Sequence, residues 1–151
     1  MTAAAESPQF RLIGQYLRDL SFECPIPAFK AAARKQDMAL QVMVGGRALG
    51  NDEHEVSIRL KGENKTDDGK TAYLVEVDYA GVFVAKGIPA AQLSQLLAIE
   101  GPSLLFPYAR HVLMSAVADG GYRPGMIEPI NFHALYVQAQ AQAAQEGQKT
   151  A

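Results

Sequence analysis

The residues of this chain best suited to acid–base, nucleophilic or metal chemistry are His54, His111, His133, Ser115 and Cys24. A hydrolytic nucleophile needs a base within hydrogen-bond reach and an acid to orient that base. His111 and Ser115 stand at i and i+4 on one predicted helix face. The pair has no orienting acid, and no Gly-x-Ser-x-Gly turn surrounds Ser115. No two histidines lie at local metal-ligand spacing, so each reads as a surface or partly buried residue. Cys24 is the single cysteine, which excludes an intrachain disulfide and a cysteine-based zinc site. It falls on the inward side of a predicted strand, where a small buried hydrophobe is expected. Gly45-Gly46 precedes neither Lys-Ser/Thr nor a helix and is no phosphate loop. Asp67-Asp68-Gly69 lacks the spaced acids and terminal Glu of a calcium loop and reads as a turn. The sequence therefore predicts no enzyme, no cofactor and no metal.

The elements that carry these residues follow from periodicity. Alternation with period 2 marks strands. In Tyr16–Cys24 the apolar side is Leu20, Phe22 and Cys24, against Asp19, Ser21 and Glu23. Pro25 and Pro27 stop that run, because proline donates nothing to a ladder. A connection through Lys30–Gln36 leads to a second run, Asp37–Val44, with Met38, Leu40, Val42 and Val44 on one side. Gly45-Gly46 and Gly50-Asn51 mark the next turn. The third run, Glu55–Lys61, sets Val56, Ile58 and Leu60 against Glu55, Ser57, Arg59 and Lys61. Asp68-Gly69 tolerates positive φ and signals a tight hairpin. In the fourth run, Thr71–Ala85, Tyr73, Val75, Val77 and Tyr79 point inward while Leu74, Glu76 and Asp78 point outward, and Ala80-Gly81 suggests a bulge. Four such strands predict an antiparallel sheet with one wet face.

After Pro89 the period becomes helical. A short helix over Ala90–Ile99 is expected to end at Gly101-Pro102. A second runs from Leu104 to about Asp119, capped by Ser103, with Pro107 in its first turn and Gly120-Gly121 as its stop. This helix is apolar nearly all round, so one sheet cannot cover it and a second subunit is expected on its far side. A last helix, with Asn131 as N-cap, aims Phe132, Leu135, Tyr136 and Ala139 at the sheet. The chain has 151 residues, 48% of them hydrophobic and 20% charged, which fits one domain with apolar material to spare. That domain is placed at 10–142, with disordered tails at 1–9 and 143–151.

Net charge of −2 and scattered basic residues exclude a nucleic-acid binder. The opening Met1-Thr-Ala-Ala-Ala-Glu-Ser-Pro has neither the basic nor the apolar region of a signal peptide. No run of about 18 apolar residues occurs, so no membrane insertion is expected and the cytoplasm is the predicted location. Two groupings remain. Asp19, Glu23, Glu76 and Asp78 share the wet face with Leu74, and pliable apolar side chains (Phe29, Met38, Met43, Tyr136) cluster near loops. Such surfaces suit promiscuous binding.

Four segments then carry a resemblance. They are Asp19-Leu-Ser-Phe-Glu-Cys-Pro25, Tyr73-Leu-Val-Glu-Val77 with Ala80-Gly-Val-Phe83, Leu104-Leu-Phe-Pro-Tyr-Ala-Arg110, and Glu128-Pro-Ile-Asn-Phe-His-Ala-Leu-Tyr136. In this order the chain resembles the SecB family of bacterial protein-export chaperones over about residues 10–137. The resemblance implies an α+β subunit with a four-stranded antiparallel sheet and helices packed on one face, assembled as a homotetramer (dimer of dimers). It also implies ATP-independent binding of unfolded precursor polypeptides in hydrophobic grooves and their delivery to the SecA motor. Carried over residue by residue, the client groove is Phe29, Met38, Leu40, Val42, Leu135 and Tyr136. The SecA-binding face is Asp19, Glu23, Leu74 and Glu76, with the zinc on the SecA side. The chain departs from the family pattern in having no tryptophan, with Arg34 near the expected place, and in its modest acidity. Two other readings stay open: a SecB-like chaperone dedicated to one partner such as an antitoxin, and a small-ligand-binding α+β domain.

Overall fold

The computed structural model describes residues 7–31 and 38–149; most of the crossover after the first strand, including Arg34, lies outside the described residues. The sheet has four antiparallel strands: β1 (Gln9–Glu23), β2 (Ala39–Gly50), β3 (Glu53–Lys65) and β4 (Thr71–Lys86). Their order across the sheet is β1-β4-β3-β2, so β2, β3 and β4 form a meander and β1 closes onto β4. A 3₁₀ turn over Ala28–Lys30 follows β1, where Pro25 and Pro27 end the ladder.

Alternation sets the two faces. Val56, Ile58 and Leu60 of β3 and Tyr73, Val75, Val77, Tyr79 and Phe83 of β4 are buried in one apolar cluster. Phe10 stacks on Phe83 with ring centroids 5.0 Å apart, and Phe22 on Tyr73 at 5.8 Å. The inward row of β2 is Leu40 and Val42, continued by Met38 just before the strand, and all three pack against the rim of that cluster.

The expected bulge at Ala80-Gly81 is corrected. β4 keeps its alternation through Ala85, and the register shifts fall on β1, between Leu12 and Gly14 and between Leu17 and Asp19. Gly81 serves close packing instead: a Cβ there would lie 2.7 Å from Leu105 Cδ2 and 2.8 Å from Leu12 Cδ1. Gly45-Gly46 likewise belongs to β2 rather than to a turn. The reversal sits at Gly50, Asn51 and Asp52, all with positive φ, a region that Gly, Asn and Asp tolerate best.

The helices depart from expectation at their boundaries. Helix α1 spans Ala90–Gln95 and passes through a π-helical turn at Leu96–Glu100 directly into α2 (Gly101–Asp119). Gly101-Pro102 is thus the first turn of α2 and not a stop, and the chain stays helical through it. The π-helical turn just before, with the Gly101 amide donating to the Leu96 carbonyl, already interrupts the regular ladder where Pro102 enters. Ser103 is no cap; its hydroxyl donates to the Ile99 carbonyl at 2.6 Å. Pro107 falls in the helix interior, where it cannot donate to the carbonyl of Ser103.

Leu105, Phe106, Ala109, Leu113 and Val117 of α2 pack on the inner face of the sheet. Helix α3 (Phe132–Lys149) begins as expected, with Asn131 Oδ1 accepting from the Ala134 amide at 3.0 Å. Of its apolar stripe, Phe132 is buried edge-on against Phe106 at 6.0 Å, Leu135 and Tyr136 are half-buried, and Ala139 is exposed. The helix continues to Lys149, so residues 143–149 are helical where a disordered tail was expected. Their Ala and Gln have high helix propensity, which needs no packing partner to act.

Candidate functional site

Three clefts follow one another along the inward row of β2. The first, about 500 Å³, is lined by Met38 and Leu40 and by the loop Gly125–Ile130 that leads into α3. The second, about 340 Å³, lies between Val42 and Val44 on one side and Leu135 and Tyr136 on the other. The third, about 410 Å³, continues from Val44 past Arg47 and His54 to Leu97 and Ala98. β2 is an edge strand, and α2 covers the centre of the sheet, so the apolar side chains at this rim stay half open.

Met38 reaches the first cleft from a socket. Gly62 sits beside it on β3, and a Cβ at Gly62 would meet Met38 Sδ at 2.3 Å and Cε at 3.0 Å. The missing side chain is what lets the thioether lie flat on the sheet.

Five of the six residues expected in a client groove therefore line two neighbouring clefts: Met38 and Leu40 in the first, Val42, Leu135 and Tyr136 in the second. Phe29 does not join them. It stands on the 3₁₀ turn after β1, 84% exposed, with Lys30 Nζ 5.8 Å from its ring centroid. The residues that sequence reading missed are Ala98 and the loop side chains Met126, Ile127 and Ile130. The loop residues lie in a segment without period, and nothing in the helical pattern around Ala98 tells which of its side chains faces β2, so no pattern marked them.

The other face of the sheet is polar. Glu23 pairs in register with Leu74, Ser21 with Glu76, and Asp19 with Asp78, which brings Asp19, Glu23, Leu74 and Glu76 together on neighbouring strands. Asp19 and Glu23 are exposed, and Leu74 and Glu76 half-buried. Asp78 shares this face but is only 7% exposed, not open as expected from its outward phase. Arg59 Nη2 lies 3.3 Å and Arg18 Nε 3.9 Å from its Oδ2, and the two arginines cover it. Arg59 Nε also lies 3.6 Å from Glu76 Oε1, so one arginine serves two acids. Asp78 Oδ1 is buried without a hydrogen-bond partner among the described residues.

A second buried carboxylate, Glu55, is 3% exposed and accepts from Tyr16, Arg18 and Arg47. The Tyr16 hydroxyl bond is the chief reason its pKa falls below the usual Glu range; burial opposes this and the two arginines assist. The sequence places Arg59 and Glu55 on the outward side without pairing them, because partners brought together from different strands leave no spacing signal.

Among the described residues no group of three or more His, Cys, Asp or Glu could hold a metal ion, and no helix is long and apolar enough to cross a membrane. His111 is exposed and Ser115 half-buried on α2. The arrangement offers an apolar trough on one face of a sheet and a charged surface on the other.

Residues 3–143 match the family described as Preprotein translocase subunit SecB. The chain is 38% identical over 149 residues to the Protein-export protein SecB of Magnetococcus marinus, covering 97% of this chain and 95% of that protein. It is 42% identical over 148 residues to the protein of the same name from Rhodopseudomonas palustris strain HaA2, covering 96% and 92%. Among solved structures it is similar to a SecB-like chaperone of Mycobacterium tuberculosis bound to a peptide from an antitoxin. There the TM-score is 0.67 at 13% identity over 80% of this chain and 90% of that one, a likeness of fold alone. With the match running almost end to end, the chain belongs to the SecB family and acts as a chaperone in protein export.

Proposed function

We propose that the trough along β2 holds unfolded precursor polypeptides without ATP, keeps them translocation-competent, and that the opposite sheet face delivers them to the SecA motor. The observation that carries this reading is the division of labour within one sheet. Met38, Leu40 and Val42 line the clefts on one face, while Asp19, Glu23, Leu74 and Glu76 gather on the other. Alternation along a strand forces that separation, so client and SecA need not compete for space.

A client of variable sequence has to be held by generic apolar contact. Each Leu- or Phe-sized client side chain that fills a cleft contributes about 1.5–3 kcal/mol before ordering costs. One trough binds weakly. Assembly as a dimer of dimers in the cytoplasm multiplies the troughs, and a long client then gains avidity because later contacts are intramolecular. Exposed apolar residues support such assembly: Leu104 and Tyr108 on the outer side of α2, and Ile13, Leu17 and Leu20 on edge strand β1. Folding of the client buries the same side chains internally, so slow folders are the preferred cargo.

Calorimetry with a slow-folding precursor tests the reading. Binding is expected for the unfolded form and not for the folded one; absence of binding by the unfolded form would overturn it.

A further inference from the structure

We propose that Met126 is a reversible oxidation site through which peroxide lowers the chaperone's grip on its clients. The inference rests on the reading of the trough as the client site. Met126 lies in the loop before α3 and is 91% exposed, the most open of the large hydrophobic residues described. It lines the same cleft as Met38, Leu40, Ile127 and Ile130. An apolar side chain held open at the mouth of an apolar cleft is positioned to meet a client, and it is equally open to a small oxidant.

The chemistry needs only a peroxide. The thioether sulfur attacks one peroxide oxygen, the O–O bond breaks and an S–O bond forms. Sulfur loses two electrons, and the second oxygen leaves as water after taking the proton from the transferred OH. The product, methionine sulfoxide, is polar and chiral, and sulfoxide reductases reverse it. At this site it replaces a flexible apolar contact with a strong dipole.

The structure supplies internal controls. Met38 shares the cleft but is half-buried, its sulfur seated over Gly62, and should oxidise later. Met43 is 52% exposed and lies in register with Arg59, on the polar face away from the cleft. Its oxidation should leave client binding unchanged.

The test treats the full-length protein with hydrogen peroxide, maps the added oxygen by peptide mass spectrometry, and measures affinity for reduced, carboxymethylated α-lactalbumin as a permanently unfolded probe. Met126 should gain oxygen before Met38, with binding weakened about tenfold and restored by treatment with both methionine sulfoxide reductases. Met126→Leu, compared before and after peroxide, should keep most of its own untreated affinity, although Met43 still oxidises. Complete Met126 oxidation without a change in affinity, or equal sensitivity of Met126→Leu, would overturn the proposal. Leu40→Glu alters the same cleft with no oxidisable atom, and Leu40→Ala serves if the charge blocks folding. If these variants weaken binding and oxidation does not, only the redox inference falls. If they bind normally, the trough reading falls and takes this inference with it.

Discussion

The Tyr16 hydroxyl donates to the Glu55 carboxylate although their strands, β1 and β3, never pair; β4 runs between them. The other carboxylate oxygen accepts from Arg18 Nη1 and Arg47 Nε, each at 3.1 Å. One buried acid thereby ties both edge strands, β1 and β2, to the middle of the sheet.

This network should give stability a pH window. The Glu55 pKa is depressed in the folded protein, first by the Tyr16 hydroxyl bond and also by Arg47 and Arg18. A depressed carboxylate stabilises above its unfolded value, and that contribution disappears as pH falls through the folded value. The Tyr16 pKa is raised, first by its bond to Glu55 and then by burial. Its contribution is complete below the ordinary Tyr range and is lost as pH rises through the folded value. Glu55→Gln should cost roughly 1–3 kcal/mol at neutral pH, with the gap to wild type narrowing in acid. Urea denaturation across pH measures both limbs; a gap that stays constant in acid would exclude the mechanism.

Gly81→Ala should destabilise by about 1–3 kcal/mol through overpacking, because the added methyl meets Leu105 and Leu12 at once. Gly69→Ala is a contrast, since the space there is open and only its φ of 86° opposes a side chain. Thermal denaturation of the two variants separates crowding from backbone strain.

Reversing charge at Asp19 and Glu76 should weaken SecA binding and spare client binding. Both acids share the polar face with Glu23 and Leu74, away from the clefts. Calorimetry against SecA and against an unfolded precursor reads the two effects separately, and equal loss of both would show that the faces do not divide the work.

Val42→Asp places a charge in the second cleft, with Leu135 and Tyr136 opposite. Losing one Leu-sized contact and adding an unpaired charge should weaken client affinity at least tenfold. SecA binding should stay as in wild type. Unchanged client affinity in a folded variant would remove Val42 from the groove.

Leu104→Arg together with Tyr108→Glu should lower the native mass, because both residues are exposed apolar groups on α2. Tyr108 also stacks on Tyr79 at 6.2 Å, so Leu104→Arg alone provides the version that leaves the core contact in place. Native mass spectrometry should find the wild type as a tetramer and the variants as smaller species; an unchanged mass would move the interface elsewhere.

Local pattern alone determined that there are four strands, though not that β1 begins at Gln9 or that β2 runs on to Gly50. It determined the inward and outward rows that separate Met38, Leu40 and Val42 from Asp19, Glu23 and Glu76. Strand alternation is a property of each residue's own backbone, and it survives whatever the neighbours are. The specific strings around Leu104–Arg110 and Glu128–Tyr136 determined the family. Tertiary structure decided what depends on residues far apart in the chain: β1 next to β4, the bulges on β1, the burial of Asp78 beneath Arg18 and Arg59, and the Glu55 clasp. It also decided which apolar side chains stay open, since Leu113 and Met126 are both hydrophobic by type, yet one lies under the sheet and the other stands at a cleft mouth. The physical reason is range: periodicity records the next few residues, whereas pairing and burial are set by contacts that only chain closure creates.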